Sequence, residues 1–279
     1  MKPKSWLLES HPVLPGFGLS FGFSTFYLSL VVLLPISVLL IHASQMSWQD
    51  YWQAITDPRV LSSYWVTISA ALYSTVLALL IGLLLAWIIG RYDFPGRRLV
   101  DALIDLPFAL PTAVAGLTLA FLLAPSGWFG QWLAPFGLKI AYAYPGIIVA
   151  MTFTSLPFVV RTVQPVLQGL STEYEEAAMT LGASRPQTFV RVVLPALAPA
   201  LVTGASQAFI RSLGEYGAVI MIAGNIPFKT EVTSLMIFMR QQEFEYEAAS
   251  AIASVVLIVS LGLLFTLQYL QTRLFQARS

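Results

Sequence analysis

The chain has no cysteine and only two histidines, His11 and His42, among its 279 residues. The absence of cysteine excludes disulfide bonds, thiolate metal sites and cysteine catalysis. The two histidines flank the first apolar stretch and are too few for a histidine-rich metal centre. The formal net charge of +1 gives no basic excess of the kind that nucleic-acid-binding proteins carry. We therefore expect neither a bound metal nor a nucleic-acid partner.

Charge is also scarce. Charged residues make up 10% of the chain, 57% of the residues are hydrophobic, and the mean hydropathy is +0.75. A soluble domain is about one quarter charged, whereas a bilayer-spanning helix needs about 20 mostly apolar residues. Six uncharged stretches reach or approach that length, which excludes an ordinary soluble enzyme and predicts an all-α polytopic membrane protein. The predicted spans cover about 19–42, 63–90, 103–124, 144–164, 197–223 and 249–270.

The lysines and arginines predict the orientation. Nine of the fifteen fall in the segments that lie inside if the N-terminus is cytoplasmic, and four fall in the outer loops. Cytoplasmic loops carry the excess of positive charge, so we expect both termini in the cytoplasm. No linker or low-complexity run interrupts the chain, which predicts a single transmembrane domain over 1–279. No repeat of the first half is evident in the second.

The inner loop at about 168–195 has more structure than a simple connector requires. Thr172 with Glu175 predicts a capping box at the start of a first short helix, and Gly182 supplies a left-handed stop. Ser184 with Gln187 predicts a second capping box. We expect two short helices joined by a glycine turn, the second of which ends or kinks at the proline before the fifth span.

The same loop carries a motif. Its residues are Glu176-Ala177-Ala178, then Gly182 after three residues, then Val192, Leu194 and Pro195 after nine more. This pattern resembles the EAA loop of bacterial ABC-importer permeases. The resemblance implies a type I ABC importer permease fold with six transmembrane helices, in which the loop forms a coupling helix that docks in a cleft of the ATP-binding subunit.

Segments 14–23, 106–119 and 212–256 are similar to the T-type permease subunits of sulfate/thiosulfate importers. The resemblance implies half of an ATP-driven pathway in the bacterial inner membrane, surrounded by lipid. It also implies three partners: a second, homologous permease subunit (W type), a homodimeric ATP-binding subunit and a periplasmic sulfate/thiosulfate-binding protein. The molybdate/tungstate permeases share the Gly-Glu-aromatic-Gly element at 214–217, and they stay open as an alternative.

The chain contains no P-loop, since the stretch from Gly224 to Lys229 lacks the second glycine that this motif requires. We expect this chain to bind no cofactor, with ATP and Mg²⁺ held by the partner ATPase. No Ser/His, paired Asp or metal-ligand constellation lies within the predicted spans, so we expect a transport subunit rather than an enzyme. An ion-coupled secondary anion transporter remains a second alternative.

Arg211 and Glu215 lie four residues apart in the fifth predicted span and so share one helix face. A charge in a span costs about 2.5–3.5 kcal/mol and normally faces protein or a water-filled cavity. Either the two neutralise each other and fix helix packing, or Arg211 lowers the barrier for a dianion while Glu215 orients it. In a secondary transporter they would form the relay. Ser206 and Gln207, one turn earlier, would add neutral donors.

Small residues and a further arginine complete the candidates within the spans. Gly214 and Gly217 allow close helix approach and suit a subunit interface around the pore. Arg161, near the inner end of the fourth span, is expected to extend toward the membrane interface. Three prolines either break or kink the third and fourth spans or mark span ends: Pro107, Pro111 and Pro157.

Overall fold

The computed structural model describes residues 17–276, except that the side chains of 267 and 270–276 are not described. These residues form an all-helical bundle. In chain order the helices are α1 (Phe17–Ser44), α2 (Trp48–Thr56), α3 (Pro58–Arg91), α4 (Arg97–Ile104), α5 (Leu106–Ala109), α6 (Thr112–Leu123), α7 (Gly130–Leu133), α8 (Tyr144–Gly169), α9 (Glu173–Thr180), α10 (Arg185–Leu213), α11 (Gly217–Ile222), α12 (Thr233–Gln242) and α13 (Tyr246–Gln276).

Five of the helices in the described part of the chain are long and apolar enough to cross a membrane: α1, α3, α8, α10 and α13. They coincide with the first, second, fourth, fifth and sixth predicted spans and extend beyond most of the predicted ends. The third span contains the shorter apolar helix α6. The helix pattern agrees with a six-span permease in which two spans, the third and the fifth, are interrupted.

The third predicted span is broken at its second proline. Helix α5 ends at Ala109, Leu110 is extended with ψ 137°, and α6 starts after Pro111. A proline cannot donate a backbone hydrogen bond, and it pushes the residue before it out of the helical region. Pro107 instead lies in the first turn of α5, and Pro157 lies within the uninterrupted helix α8. Of these three prolines, only Pro111 therefore breaks a predicted span.

The expectation of one helix over 197–223 is wrong. Helix α10 ends at Leu213, and the separate helix α11 begins at Gly217. The carboxylate of Glu215 caps the start of α11, where its Oε1 accepts from the backbone N–H of Ala218 at 3.0 Å. A side chain that satisfies an orphan donor at a helix start favours a new helix over continuation of the old one.

The predicted loop at 168–195 forms a short helix and the start of a long one. The box predicted at Thr172 and Glu175 is wrong, because Thr172 has helical backbone angles and its side chain caps nothing. Gly182 takes the predicted left-handed conformation, with φ +87°. The box at Ser184 and Gln187 is formed, and Gln187 Oε1 accepts from the Ser184 N–H at 2.8 Å.

The second helix of this loop does not end at Pro195. It widens into a π-helical turn at Phe189–Val193 and continues as an α-helix from Leu194. Pro195 lacks the N–H that would bond one turn back, and a π turn is a common way for a helix to accommodate a gap in its hydrogen-bond ladder. The loop is therefore continuous with the fifth span.

Helices α3, α8 and α10 pack against one another and form the centre of the bundle. Their contact faces carry small residues, as expected where van der Waals packing holds membrane helices together. A Cβ placed at Gly82 would lie 2.8 Å from Cγ1 of Val159, so α3 and α8 approach closely there. Helix α1 lies at the periphery, where its second half packs along α13.

Candidate translocation and coupling sites

The charged pair of the fifth span lies halfway along the bundle. Ser74 Oγ contacts the Oγ of Ser212, the residue after Arg211, at 3.1 Å. Ser74 is near the middle of the 34-residue helix α3. At 1.5 Å per residue it is about 24 Å from either end of that helix. Arg211 therefore lies at the level where a membrane charge is most expensive.

Arg211 and Glu215 form an ion pair, with Nη1 and Oε2 2.6 Å apart. Glu215 is 1% exposed, and its other carboxylate oxygen accepts from the N–H of Ala218. Its backbone carbonyl accepts from Ser234 Oγ at 2.9 Å. The Oε2 contact is an ion pair rather than an aligned hydrogen bond. Because Glu215 is held by α10, α11 and α12, it is a fixed anchor for the guanidinium.

The other donors of Arg211 have no partner among the described residues. A guanidinium has five N–H donors in a rigid fork, and the contact to Glu215 is the only polar contact that Arg211 makes with the side chains the structure describes. The Arg211 side chain is 31% exposed. Free guanidinium donors on an exposed face suit recognition of an oxyanion, which can be bidentate.

Gln207 lies one turn before Arg211 on the same face of α10, and Gly214, three residues after Arg211, follows the last residue of α10 on the same side; both are exposed. We call this face, Gln207, Arg211 and Gly214, the open strip. The Gln207 Oε1 accepts from Thr162 Oγ1 of α8 at 3.3 Å, which leaves its amide donors for another group. Ser206 is buried and donates to the backbone carbonyl of Val202. Of the two neutral donors predicted here, only Gln207 lies on the open strip.

The two predicted interface glycines have different surroundings. A Cβ at Gly217 would lie 2.2 Å from Oγ1 of Thr112, so Gly217 lets α11 approach α6 within this chain. Gly116 of α6 makes the reciprocal approach, since a Cβ there would lie 2.2 Å from the carbonyl oxygen of Ala218. The two interrupted spans therefore pack on each other. Gly214 lies on the open strip instead.

Arg161 is held by several side chains of its own chain. Its Nε and Nη2 donate to the two carboxylate oxygens of Asp105, at 2.8 and 2.6 Å. Nη1 donates to Asp101 Oδ1 and Gln164 Oε1, and Nη2 also reaches the Asp101 carbonyl. Every nitrogen of the guanidinium is engaged. The clamp fixes the short helix α4 to α8, and we call Arg161, Asp101, Asp105 and Gln164 the Arg161 clamp.

The sequence alone did not reveal this clamp. Asp101 and Asp105 are four residues apart, a spacing that places them on one helix face, and this is the signal that the sequence contains. The predicted third span began at 103, which separated the two aspartates. Nothing in their local sequence indicates that their partner lies on the following span.

The EAA motif lies at the same end of the bundle as the last residue of α3. Glu176 and Ala177 are exposed on α9, and Ala178 is partly buried. Large apolar side chains beside them are exposed as well, including Tyr174 at 61% and Leu181 at 89%. Exposed apolar side chains of this size, clustered on one short helix, are typical of a contact surface. Farther along, Val192 lies in the π turn, and Leu194 and Pro195 follow it.

Comparison with known proteins identifies the family of the chain. Residues 81–278 match the family described as binding-protein-dependent transport system inner membrane component. The chain is 60% identical over 266 residues to the sulfate transport system permease protein CysT of Escherichia coli (strain K12), covering 95% of this chain and 96% of that protein. It is 48% identical over 245 residues to the CysT protein of Synechocystis, with coverage of 88% and 86%.

A solved structure has the same fold at much lower identity. The crystal structure of a bacterial ABC transporter involved in the import of the acidic polysaccharide alginate aligns with a TM-score of 0.76 and 18% identity. The alignment covers 92% of this chain and 96% of the solved one. At this identity the likeness applies to the fold alone.

Proposed function

The chain belongs to the family of binding-protein-dependent transport system inner membrane components, and from this premise we propose that it is a permease subunit of an ATP-driven importer for sulfate and thiosulfate. The relatives that cover most of the chain are named for sulfate transport. The structural observation that supports an anion pathway is the charged pair at mid-bundle, in which the Arg211 side chain is partly exposed and makes no polar contact with the described residues other than Glu215.

The arrangement suits passage of a dianion rather than its capture. A lone guanidinium in a low-dielectric site would hold sulfate strongly, whereas conduction requires binding weak enough for release. Glu215 neutralises part of the field of Arg211 and fixes its orientation. The free donors of Arg211 and the amide of Gln207 then offer hydrogen bonds to a passing oxyanion along the open strip. Selectivity for the anion arises mainly in the binding protein that delivers it.

The coupling site is α9. Glu176, Ala177 and Ala178 dock in the ATP-binding subunit, and Gly182 ends the docking helix. Val192, Leu194 and Pro195 connect that helix to the pathway through the start of α10. ATP and Mg²⁺ bind to the homodimeric ATPase, and this chain performs no chemistry itself.

The remaining parts of the importer follow from the same proposal. One chain provides half of the pathway, and a homologous W-type permease provides the other half, with Gly214 at the boundary between them. A periplasmic binding protein delivers the anion. The chain is one transmembrane domain in the bacterial inner membrane with both termini in the cytoplasm, so that α9 faces the ATPase.

Reconstitution of the purified components tests this function. The chain, its partner permease and the ATPase are placed in proteoliposomes, and uptake of radiolabelled sulfate is measured with the binding protein present. We expect uptake that requires ATP hydrolysis and stops with a non-hydrolysable analogue. Uptake by this chain alone, driven by an ion gradient, would contradict the proposal and favour a secondary transporter.

A charge reversal tests the coupling site. Glu176→Lys should reduce ATP-dependent uptake about tenfold or more, because a like-charge or unpaired contact at an interface costs more than about 1.4 kcal/mol. The variant protein should remain in the membrane. Glu173→Lys is the matched control, since Glu173 is an exposed acidic residue in the same first turn outside the motif. Unchanged uptake with Glu176→Lys would rule out this role.

A further inference from the structure

Helix α9 is held to the bundle by an ion pair as well as by the chain itself. Nη2 of Arg91, the last residue of α3, lies 2.6 Å from Oε1 of Glu175 on α9. The two side chains are 15% and 20% exposed. Partly buried ion pairs are screened by water and salt much less than surface pairs are. This contact therefore joins the docking helix directly to the second span.

An aromatic contact reinforces the same junction. The guanidinium carbon of Arg91 lies 5.8 Å from the ring centroid of Trp87, one turn earlier on α3, which is within the range of cation–π attraction. The Trp87 ring meets Phe189 edge to face at 5.4 Å. Phe189 is the first residue of the π turn that leads into α10. Helix α3 therefore holds both α9 and the start of α10.

Helix α3 extends from this junction to the middle of the bundle. From Arg91, α3 runs along α8 and α10 to Ser74, which contacts the residue after Arg211. A packed helix moves as a rigid element, because close-packed interiors transmit displacement rather than absorb it. A force on α9 therefore has a second route to the middle of the bundle, in addition to the covalent route through α10.

We propose that Arg91 and Glu175 are positioning residues for coupling, which join the docking helix to α3 so that its displacement moves the second span together with the fifth. Adjacent glutamates then have different roles: Glu176 is exposed and accessible to the ATPase of the proposed complex, and Glu175 is directed back at the bundle. This inference rests on the proposed importer function, and it extends that function to residues outside the motif.

The first test measures coupling directly in the reconstituted complex. Arg91→Gln and Glu175→Gln should each lower sulfate uptake per ATP hydrolysed about fivefold, while the ATPase still co-purifies and hydrolyses ATP. The exchange variant, Arg91→Glu with Glu175→Arg, should recover the ratio to within about twofold of the wild type. The fivefold loss corresponds to a charge-assisted contact worth roughly 1 kcal/mol where it is partly exposed.

Arg97→Gln is the matched control. Arg97 lies near the same end of the bundle, and its ion pair among the described residues is with Asp93, which is 93% exposed, rather than with α9. The Arg97→Gln variant should leave the ratio of sulfate uptake to ATP hydrolysis unchanged. Wild-type ratios in the two single variants, or an exchange variant no better than they are, would overturn the inference.

The second test does not depend on which anion is carried. Because the chain has no cysteine, Tyr92→Cys and Glu173→Cys introduce two specific spin-label sites, one beside Arg91 and one at the start of α9, and both residues are exposed. In the complex, the distribution of distances between the two spin labels should stay narrow, and its mean should not change when ATP binds. With Arg91→Gln it should broaden and shift by several ångströms, and the exchange variant should restore it. A distance unaffected by Arg91→Gln would refute the link, even if the wild-type complex failed to transport sulfate and the proposed substrate were wrong.

Discussion

Arg161 and Arg211 are two arginines in neighbouring helices of one bundle, and their side chains are almost equally exposed, at 32% and 31%. Their partners differ. Every nitrogen of Arg161 donates within the chain, whereas Arg211 has one polar contact among the described side chains, to Glu215. A guanidinium whose donors are all satisfied holds helices together, whereas one with unoccupied donors can bind a passing oxyanion.

The net charges of the two regions differ as well. The Arg161 clamp combines one arginine with two carboxylates, so it has a formal charge of −1 and repels a dianion. The pair at mid-bundle is formally neutral, and its carboxylate is buried while its guanidinium is partly exposed. An anion on the open strip therefore meets the positive member of the pair first. The same residue type is structural in one place and suited to transport in the other.

The largest expected effect comes from Arg211→Ala. The substitution leaves the buried carboxylate of Glu215 unpaired, at a cost of about 3–5 kcal/mol, and it also removes the donors of the open strip. We expect little assembled complex by size-exclusion chromatography and sulfate uptake at background level. Arg211→Lys keeps the charge and should be intermediate. Normal assembly with near-wild-type uptake would show that Arg211 is neither structural nor part of the pathway.

A neutral pair separates packing from transport. Arg211→Gln combined with Glu215→Gln removes both charges and retains an amide oxygen that can accept from Ala218. The complex should assemble, and uptake should fall about tenfold, because a hydrogen bond to a charged group is worth about 1.5–3 kcal/mol. The matched control is Arg161→Gln with Asp105→Asn, which should leave uptake per assembled complex nearly unchanged. Full uptake by the Arg211 pair would mean that the pair only fixes helix packing.

A smaller effect is expected from Arg161→Lys. A lysine keeps the charge but cannot reproduce the bidentate contact to Asp105, so the clamp should lose about 1–2 kcal/mol after discounting for its partial exposure. Thermal unfolding of the complex in detergent should shift down by a few degrees. Uptake per folded complex should stay constant. A drop in uptake without a loss of stability would place Arg161 on the pathway beside Arg211 and remove the contrast between them.

The smallest effect is expected from Gln207→Ala. It removes one neutral, exposed donor from the open strip, which corresponds to about 0.5 kcal/mol or roughly a twofold change in uptake. Gln53→Ala, at an exposed position on α2, controls for nonspecific effects. A loss as large as that of the neutral Arg211 pair would make Gln207, rather than Arg211, the main contact for the anion.

Much of the architecture could be predicted because it depends on local composition. Uncharged stretches located the long helices, and the glycine at position 182 ended α9 where the turn chemistry required it. The interruption of the fifth span could not be predicted in this way. The stretch from Leu213 to Ile222 is mostly apolar, and the break depends on a carboxylate that caps the next helix. Hydropathy averages over a window and does not detect a single capping side chain.

The candidate site was predicted only in part, because some of its features are local in the sequence and others depend on packing. The spacing of Arg211 and Glu215 is a local property, and the ion pair between them follows from it. Ser206 is also one turn from Arg211, but it faces the buried side of α10. The direction of a helix face depends on which neighbours pack against it, and the spacing along one helix does not specify those neighbours.

By itself, the sequence determined that this permease lies in a membrane, where its long helices run, and which loop carries the EAA motif. These properties are set by composition and by spacings of a few residues. Only the tertiary structure decided which arginine donors are occupied. Arg161 pairs with residues 56 and 60 positions away, and Arg91 pairs with one 84 positions away. Contacts of that separation form only when helices pack, because no local interaction brings their ends together.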